Sequence, residues 1–248
     1  MTNLEQFLKR LDGAEEFCKR EGRPFITVTY AQGVDGSIAL ETPQKIQFSG
    51  PDTQILTHRL RAAHDAILLG IGTVLADNPL LTVRLVEGPN PRPIILDTHL
   101  RVRHDLRLMT RDDCYPLLVT GPRPPQSRRS AIKANGAQIL TCDYNSDGRV
   151  DLQEMVRKLA TLDQPVCSVM VEGGGRVISA FTEAQLVDYF IITVTPCMLG
   201  GVKAMELSQR RSPYYVALNE LVVDPMGRDV VLWASPSWED IRQKMSDA

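Results

Sequence analysis

No stretch of the chain approaches the roughly 20 uninterrupted apolar residues that crossing a bilayer demands, so a membrane span is excluded. Cysteines are few and scattered. Cys18, Cys114, Cys142, Cys167 and Cys197 include no Cys-x-x-Cys pair. That excludes a thiolate zinc site and a disulfide framework, and it suits a reducing compartment. Excess charge of either sign is also missing. The 28 Lys and Arg residues against 30 Asp and Glu leave a formal charge of −2, so no global basic field points to nucleic acid or an anionic membrane. The opening MTNLEQFLKRLDGAEEFCKR is charged throughout and keeps four acids; it has neither the apolar core of a signal peptide nor the composition of a transit peptide. The expectation is a soluble, cytoplasmic-type protein.

What is present is ordinary globular composition, 43% hydrophobic over 248 residues, enough for one large core. Leu4, Phe7, Leu8, Leu11, Phe17 and Cys18 recur at helical spacing, which predicts one amphipathic helix over about 3–20, ended by Pro24. FITVTYA reads as a strand and Gln32 to Gly36 as a turn. A second helix is expected from about Asp52 to His64, capped by Asp52 or Thr53. The apolar runs AILLG, PIILD, PLLVT, AQIL and VCSVMVE are continuous rather than alternating, the mark of strands buried on both faces. Helical stretches near 127–135, 151–162 and 174–185 separate the later ones. Strand and helix thus alternate, which predicts an α/β fold with a mostly parallel sheet. DYFIITVTP, YYVALNELVVD and RDVVLWA follow without a helical pattern, so antiparallel strands should close one edge. Residues 1–248 read as one domain, with its core over 23–235.

In such sheets ligands bind beyond the carboxyl ends of strands, at helix N-termini. Two segments have that form. In AILLG-IGT, Gly70 and Gly72 follow a strand and Thr73 opens a helix; the glycines either free backbone N–H groups for a cofactor or serve a turn that needs positive φ. In VCSVMVE-GGG-RV, Gly173, Gly174 and Gly175 permit close approach of a pyrophosphate to a helix N-terminus, or make a tight connection. Glu172 ends a very apolar strand, where an unpaired buried carboxylate is costly. It should line a ligand cavity or pair structurally; the cavity is the expectation. Arg84, at the end of an expected short strand LLTVR, and Arg61, on the second helix, are candidates for gripping a phosphate by their planar forks.

Together these segments resemble the C-terminal reductase domain of the bacterial riboflavin-synthesis bifunctional enzyme. They resemble more closely the stand-alone fungal and archaeal 2,5-diamino-6-ribosylamino-4(3H)-pyrimidinone 5′-phosphate reductases. The resemblance is carried by RPFITVTYAQGVDGSIAL, LRAAHDAILLGIGTVLADNPLLTVR, RPIILDTHLRV and VMVEGGGRVISAFTEAQLVDYFIITVTPCMLGG, in order over most of residues 23–201. The first 22 residues, the stretch from Glu41 to Pro51 and everything after Gly201 match only loosely. The resemblance implies a dihydrofolate-reductase-like three-layer α/β/α fold and a homodimer. It assigns Thr73, Asp77, Gly173, Gly174, Gly175, Arg176 and Val177 to NADPH, and Arg61, Leu81, Arg84 and Glu172 to the phosphorylated ribosylamino-pyrimidine. It places Asp35 near the nicotinamide, and makes Asp35 and Glu172 the candidates for a catalytic part.

The implied activity is NADPH-dependent reduction of the ribosyl group to ribityl, an early step of riboflavin biosynthesis. Arg123, Arg128 and Arg129 offer charge for the cofactor's 2′-phosphate or form a solvated loop. None of His58, His64, His99 and His104 is followed by x-Glu, so the zinc motif of the pathway's deaminases is missing and no metal is expected. The competing readings are a reductase of another pterin or pyrimidine on the same fold, and a catalytically silent NADPH-binding module.

Overall fold

The computed structural model describes residues 1–42, 46–134, 136–206 and 214–240. Its centre is a nine-stranded sheet in the order β10-β11-β8-β1-β7-β3-β4-β5-β6. Seven strands run parallel: β1 (Phe25–Gly33), β3 (Ala66–Gly70), β4 (Arg92–Leu96), β5 (Leu117–Thr120), β6 (Gln138–Thr141), β7 (Ser168–Val171) and β8 (Tyr189–Thr195). The last two, β10 (Tyr214–Met226) and β11 (Asp229–Asp240), form an antiparallel hairpin added through β11 to β8. A small ribbon pairs β2 (Ser37–Ala39) with β9 (Val202–Lys203). The expected class, a mixed and mostly parallel sheet with antiparallel C-terminal strands, is what the chain forms.

Continuous apolar runs are buried on both faces because alternate residues serve different cores. On β3, Ala66 and Leu68 pack with Ile178 and Phe181 of α7 (Gly175–Glu183) and with Met155 and Leu159 of α6 (Leu152–Ala160). Ile67 and Leu69 face the opposite side with α4 (Ile71–Asp77), α5 (Gln126–Ala134) and a 3₁₀ turn, Arg107–Thr110. Beyond them, Phe7 and Leu11 of α1 (Asn3–Asp12) and Leu56 and Leu60 of α3 (Pro51–Ala63) cover Tyr189, Ile191 and Trp233. Helices on both faces of one sheet make three layers.

Several boundaries differ from the sequence expectation. The opening helix is two, α1 and α2 (Ala14–Glu21), divided at Gly13; α2 stops at left-handed Gly22 (φ 64°), before Pro24 can act. A Thr2–Glu5 capping box starts α1. Neither Asp52 nor Thr53 caps α3. Its N-cap is Gly50, Pro51 occupies the first turn, and the acceptor comes from the far hairpin: Asp229 Oδ2 receives the Gly50 N–H at 2.6 Å and the Thr53 hydroxyl at 2.6 Å. The segment LLTVR is not a strand but irregular backbone. Asn135, the expected end of α5, lies outside the described residues.

Candidate active site

Chain order places β7 between β1 and β3, so the carboxyl ends of β7 and β3 are neighbours and the helices that follow them, α7 and α4, start side by side. Here Thr73 and Gly174 meet: a Cβ built on Gly174 would lie 3.0 Å from Thr73 Oγ1. Gly174 is the N-cap of α7 and no side chain caps that helix. Above α4, a Cβ on Gly72 would meet only open space. The glycines do not supply positive φ, since neither Gly70, Gly72 nor Gly173–Gly175 adopts it. They supply room. Val177 is wedged between Gly70 and Gly173, where an added Cβ would come within 2.8 Å of its side chain. Gly175 lies against the Lys203 carbonyl, at 2.6 Å by the same measure. Arg176 is exposed in the first turn of α7. The result is a bare backbone ledge with a hydroxyl beside it, the donor set that suits a dinucleotide pyrophosphate.

Glu172 stands immediately before this ledge. Both of its oxygens are held by Arg61, Nε to Oε2 at 2.9 Å and Nη2 to Oε1 at 2.5 Å, and Arg61 also donates to the Thr82 carbonyl at 3.2 Å. An apolar strand end tolerates this carboxylate because a guanidinium pairs with it, the structural alternative of the sequence reading, while 27% of the Glu172 side chain stays accessible. Burial alone would lower the Arg61 pKa, but the Glu172 carboxylate beside it more than offsets this and raises it.

A pocket of about 200 Å³ opens beside the pair, lined by Arg61, Arg84 and Arg107 with Asp77, Asn78 and Leu81. Arg84 is exposed, and its N–H donates to His58 Nδ1 at 2.9 Å. Its pKa is drawn down by desolvation first and then by Arg61 and Arg107. His58 is likewise pushed down, by burial and then by Arg61 and Arg84. Leu81 lines the pocket chiefly through its backbone. Its side chain is 2% exposed and belongs to the core beneath the pocket, while its left-handed backbone (φ 58°) turns the chain. Asp77 lies on the pocket rather than on the glycine ledge, one turn along α4 from Thr73, about 6 Å by helical rise. Ledge and pocket thus share α4 on one side and the Glu172–Gly173 junction on the other.

Asp35 is an anchor for the turn after β1. Its carboxylate accepts from Ser37 Oγ at 2.7 Å, Gly200 N–H at 2.8 Å, and the N–H groups of Leu199 and Ser37 at 3.3 Å. Lys203 Nζ lies 3.4 Å away. The Ser37 hydroxyl foremost, then the Gly200 amide, hold its pKa well below the usual carboxylate range. A carboxylate so engaged is held as an anion, and it ties the β1–β2 turn to the segment whose Lys203 carbonyl abuts Gly175. Arg107, Asn78, His58 and Lys203 escaped the sequence reading. Of these, Asn78 alone carries a local signal, a left-handed C-cap after α4.

Residues 24–232 match the family of the RibD C-terminal domain. The chain belongs to that family. Over 187 residues it is 34% identical to the 2,5-diamino-6-ribosylamino-4(3H)-pyrimidinone 5′-phosphate reductase of Saccharomyces cerevisiae, spanning 72% of this chain and 74% of that protein. The reductase of the same name from Archaeoglobus fulgidus is 32% identical over 189 residues, 72% of this chain and 83% of that one. Among solved structures, the Saccharomyces cerevisiae riboflavin biosynthesis reductase Rib7 superposes with a TM-score of 0.69 at 30% identity, covering 91% of this chain and 100% of Rib7. Acinetobacter baumannii RibD superposes at 0.73 with 22% identity, a likeness of fold; the chain spans 60% of its length.

Proposed function

We propose that the protein reduces 2,5-diamino-6-ribosylamino-4(3H)-pyrimidinone 5′-phosphate to its ribitylamino form, with NADPH as reductant, in riboflavin biosynthesis. The observation that carries this reading is the meeting of Thr73 with Gly174 within one helical turn of a pocket holding three guanidinium groups. The Gly173–Gly175 ledge, Thr73 and the uncapped start of α7 would hold the dinucleotide; when bound, a reduced nicotinamide supplies hydride. Arg84 grips the 5′-phosphate at the other end of the cleft. Arg61 fixes Glu172 so that its accessible edge hydrogen-bonds the opened amino-sugar. Asp35 shapes the wall. Holding two reactants in register contributes about 7–11 kcal/mol of the barrier reduction, which such chemistry needs more than a strong acid or nucleophile.

The protein works as a homodimer in this reading. Leu221, Val222 and Val223, exposed on the edge strand β10, support a contact with a second copy; sedimentation showing only monomer at micromolar concentration would refute it. No helix among the described residues is long and apolar enough to cross a membrane, in keeping with a cytoplasmic enzyme. The activity is tested by incubating the diamino substrate with NADPH. Mass spectrometry should find a product two hydrogens heavier; a reductase that leaves this substrate untouched yet oxidises NADPH with a pterin would favour the rival substrate class.

A further inference from the structure

We propose that Arg107 is a substrate-binding residue which, together with Arg84, seats the phosphoryl group. The proposal rests on the reductase reading above and adds to it a residue that lies in none of the glycine or arginine motifs. Arg107 opens the 3₁₀ turn Arg107–Thr110, far along the chain from Arg84. Its placement is fixed from two sides. Its N–H donates to Asn78 Oδ1 at 2.8 Å, and the next two residues, Leu108 and Met109, are buried in the core. Asn78 in turn is the left-handed cap of α4 (φ 44°), the helix that carries Thr73. Three elements of different origin, α3, the loop after α4 and the 3₁₀ turn, therefore aim guanidinium groups at one pocket of about 200 Å³.

Charge balance distinguishes the three. Arg61 is neutralised by Glu172 on both oxygens. Neither Arg84 nor Arg107 forms an ion pair with a carboxylate among the described residues; the Arg84 guanidinium donates to Thr82, at 3.0 Å to the hydroxyl and 3.4 Å to the carbonyl. Asp77 is the one carboxylate on the pocket's rim. Desolvation first, and then Arg61 and Arg107, draw the Arg84 pKa down against the opposing Glu172. Like charges gathered around a recess are relieved by a multivalent anion, and planar forks match phosphoryl oxygens in pairs. Both free guanidinium groups are exposed, so the seat is open to a ligand.

The test compares Arg107→Gln, Arg107→Lys and a control, Arg103→Gln, whose exposed side chain pairs with Asp105 at 2.5 Å. Each full-length variant is assayed on the diamino substrate with and without its phosphate, and titrated calorimetrically with ribose 5-phosphate. Arg107→Gln should cut the preference for phosphorylated substrate about tenfold or more and weaken ribose 5-phosphate to a similar degree. Arg107→Lys should recover part of both, Arg103→Gln should change neither, and melting temperatures should match. An undiminished phosphate preference with undiminished ribose 5-phosphate binding in Arg107→Gln overturns the proposal. A protein that binds ribose 5-phosphate through Arg107 but reduces no pyrimidine substrate would refute the reductase reading and leave the seat standing.

Discussion

At the scale of residues, the cleft shows how chemistry is set by partners rather than by residue type. Glu172 is engaged by the Arg61 fork on both oxygens, and the proposed part for it is to bind and orient. Glu172→Gln should raise KM about 10- to 100-fold while kcat changes little, because a ground-state contact and the aim of Arg61 are lost together. A fall in kcat at constant KM would instead make it the proton donor. The glycine ledge and its threonine were legible in the sequence because backbone exposure at a strand end is a local property. The backbone of Leu81 was not: a leucine at φ 58° whose side chain packs into the core while the residue lines the pocket is a consequence of tertiary packing. Arg107 was illegible for the same reason, being an unremarkable arginine in irregular chain until the fold brings it to Arg84.

At the scale of elements, strands and helices were legible because burial on both faces leaves continuous apolar runs, and only their ends shifted. The instructive miss is the start of α3. Sequence offered Asp52 and Thr53 as caps, yet Asp229 serves from 179 residues away, receiving the Gly50 N–H and the Thr53 hydroxyl while 2% exposed. A cap supplied across the fold leaves no spacing to read. Asp229→Ala should therefore cost about 1–3 kcal/mol of stability in denaturant titration, more than loss of an exposed cap. Since α3 carries both His58 and Arg61, KM should rise as well. An unchanged midpoint would show that the N-terminus of α3 needs no such acceptor.

At the scale of the whole molecule, strand order makes the site, and strand order was beyond any periodicity argument. The chain leaves β1, builds β3 to β6 outward, then returns to insert β7 between β1 and β3; only this return brings Gly174 to Thr73. The same core fixes the acid limit of stability. His64, 4% exposed, lies with Nδ1 2.7 Å from the Leu60 carbonyl and Nε2 2.9 Å from the Thr27 hydroxyl, an arrangement that suits a neutral ring. Burial pushes its pKa down from 6.5 to about 4. The unfolded chain therefore takes up a proton below pH 6.5 that the fold refuses until about pH 4, so stability falls across that window, by on the order of 3 kcal/mol, and this contribution levels off below it. Denaturant midpoints that stay constant from pH 7 to pH 4.5 would contradict this.

If the junction of the β3 and β7 ends, where Gly174 meets Thr73, seats the dinucleotide, one titration reveals it directly. NADPH fluorescence is followed on the wild-type protein and on Gly174→Val, whose branched side chain would fill the space beside the Thr73 hydroxyl. The wild type should bind, and the variant, still folded by its melting curve, should bind at least about tenfold more weakly, a difference of about 1.4 kcal/mol or more. Equal affinity in the two proteins would mean that the dinucleotide sits elsewhere.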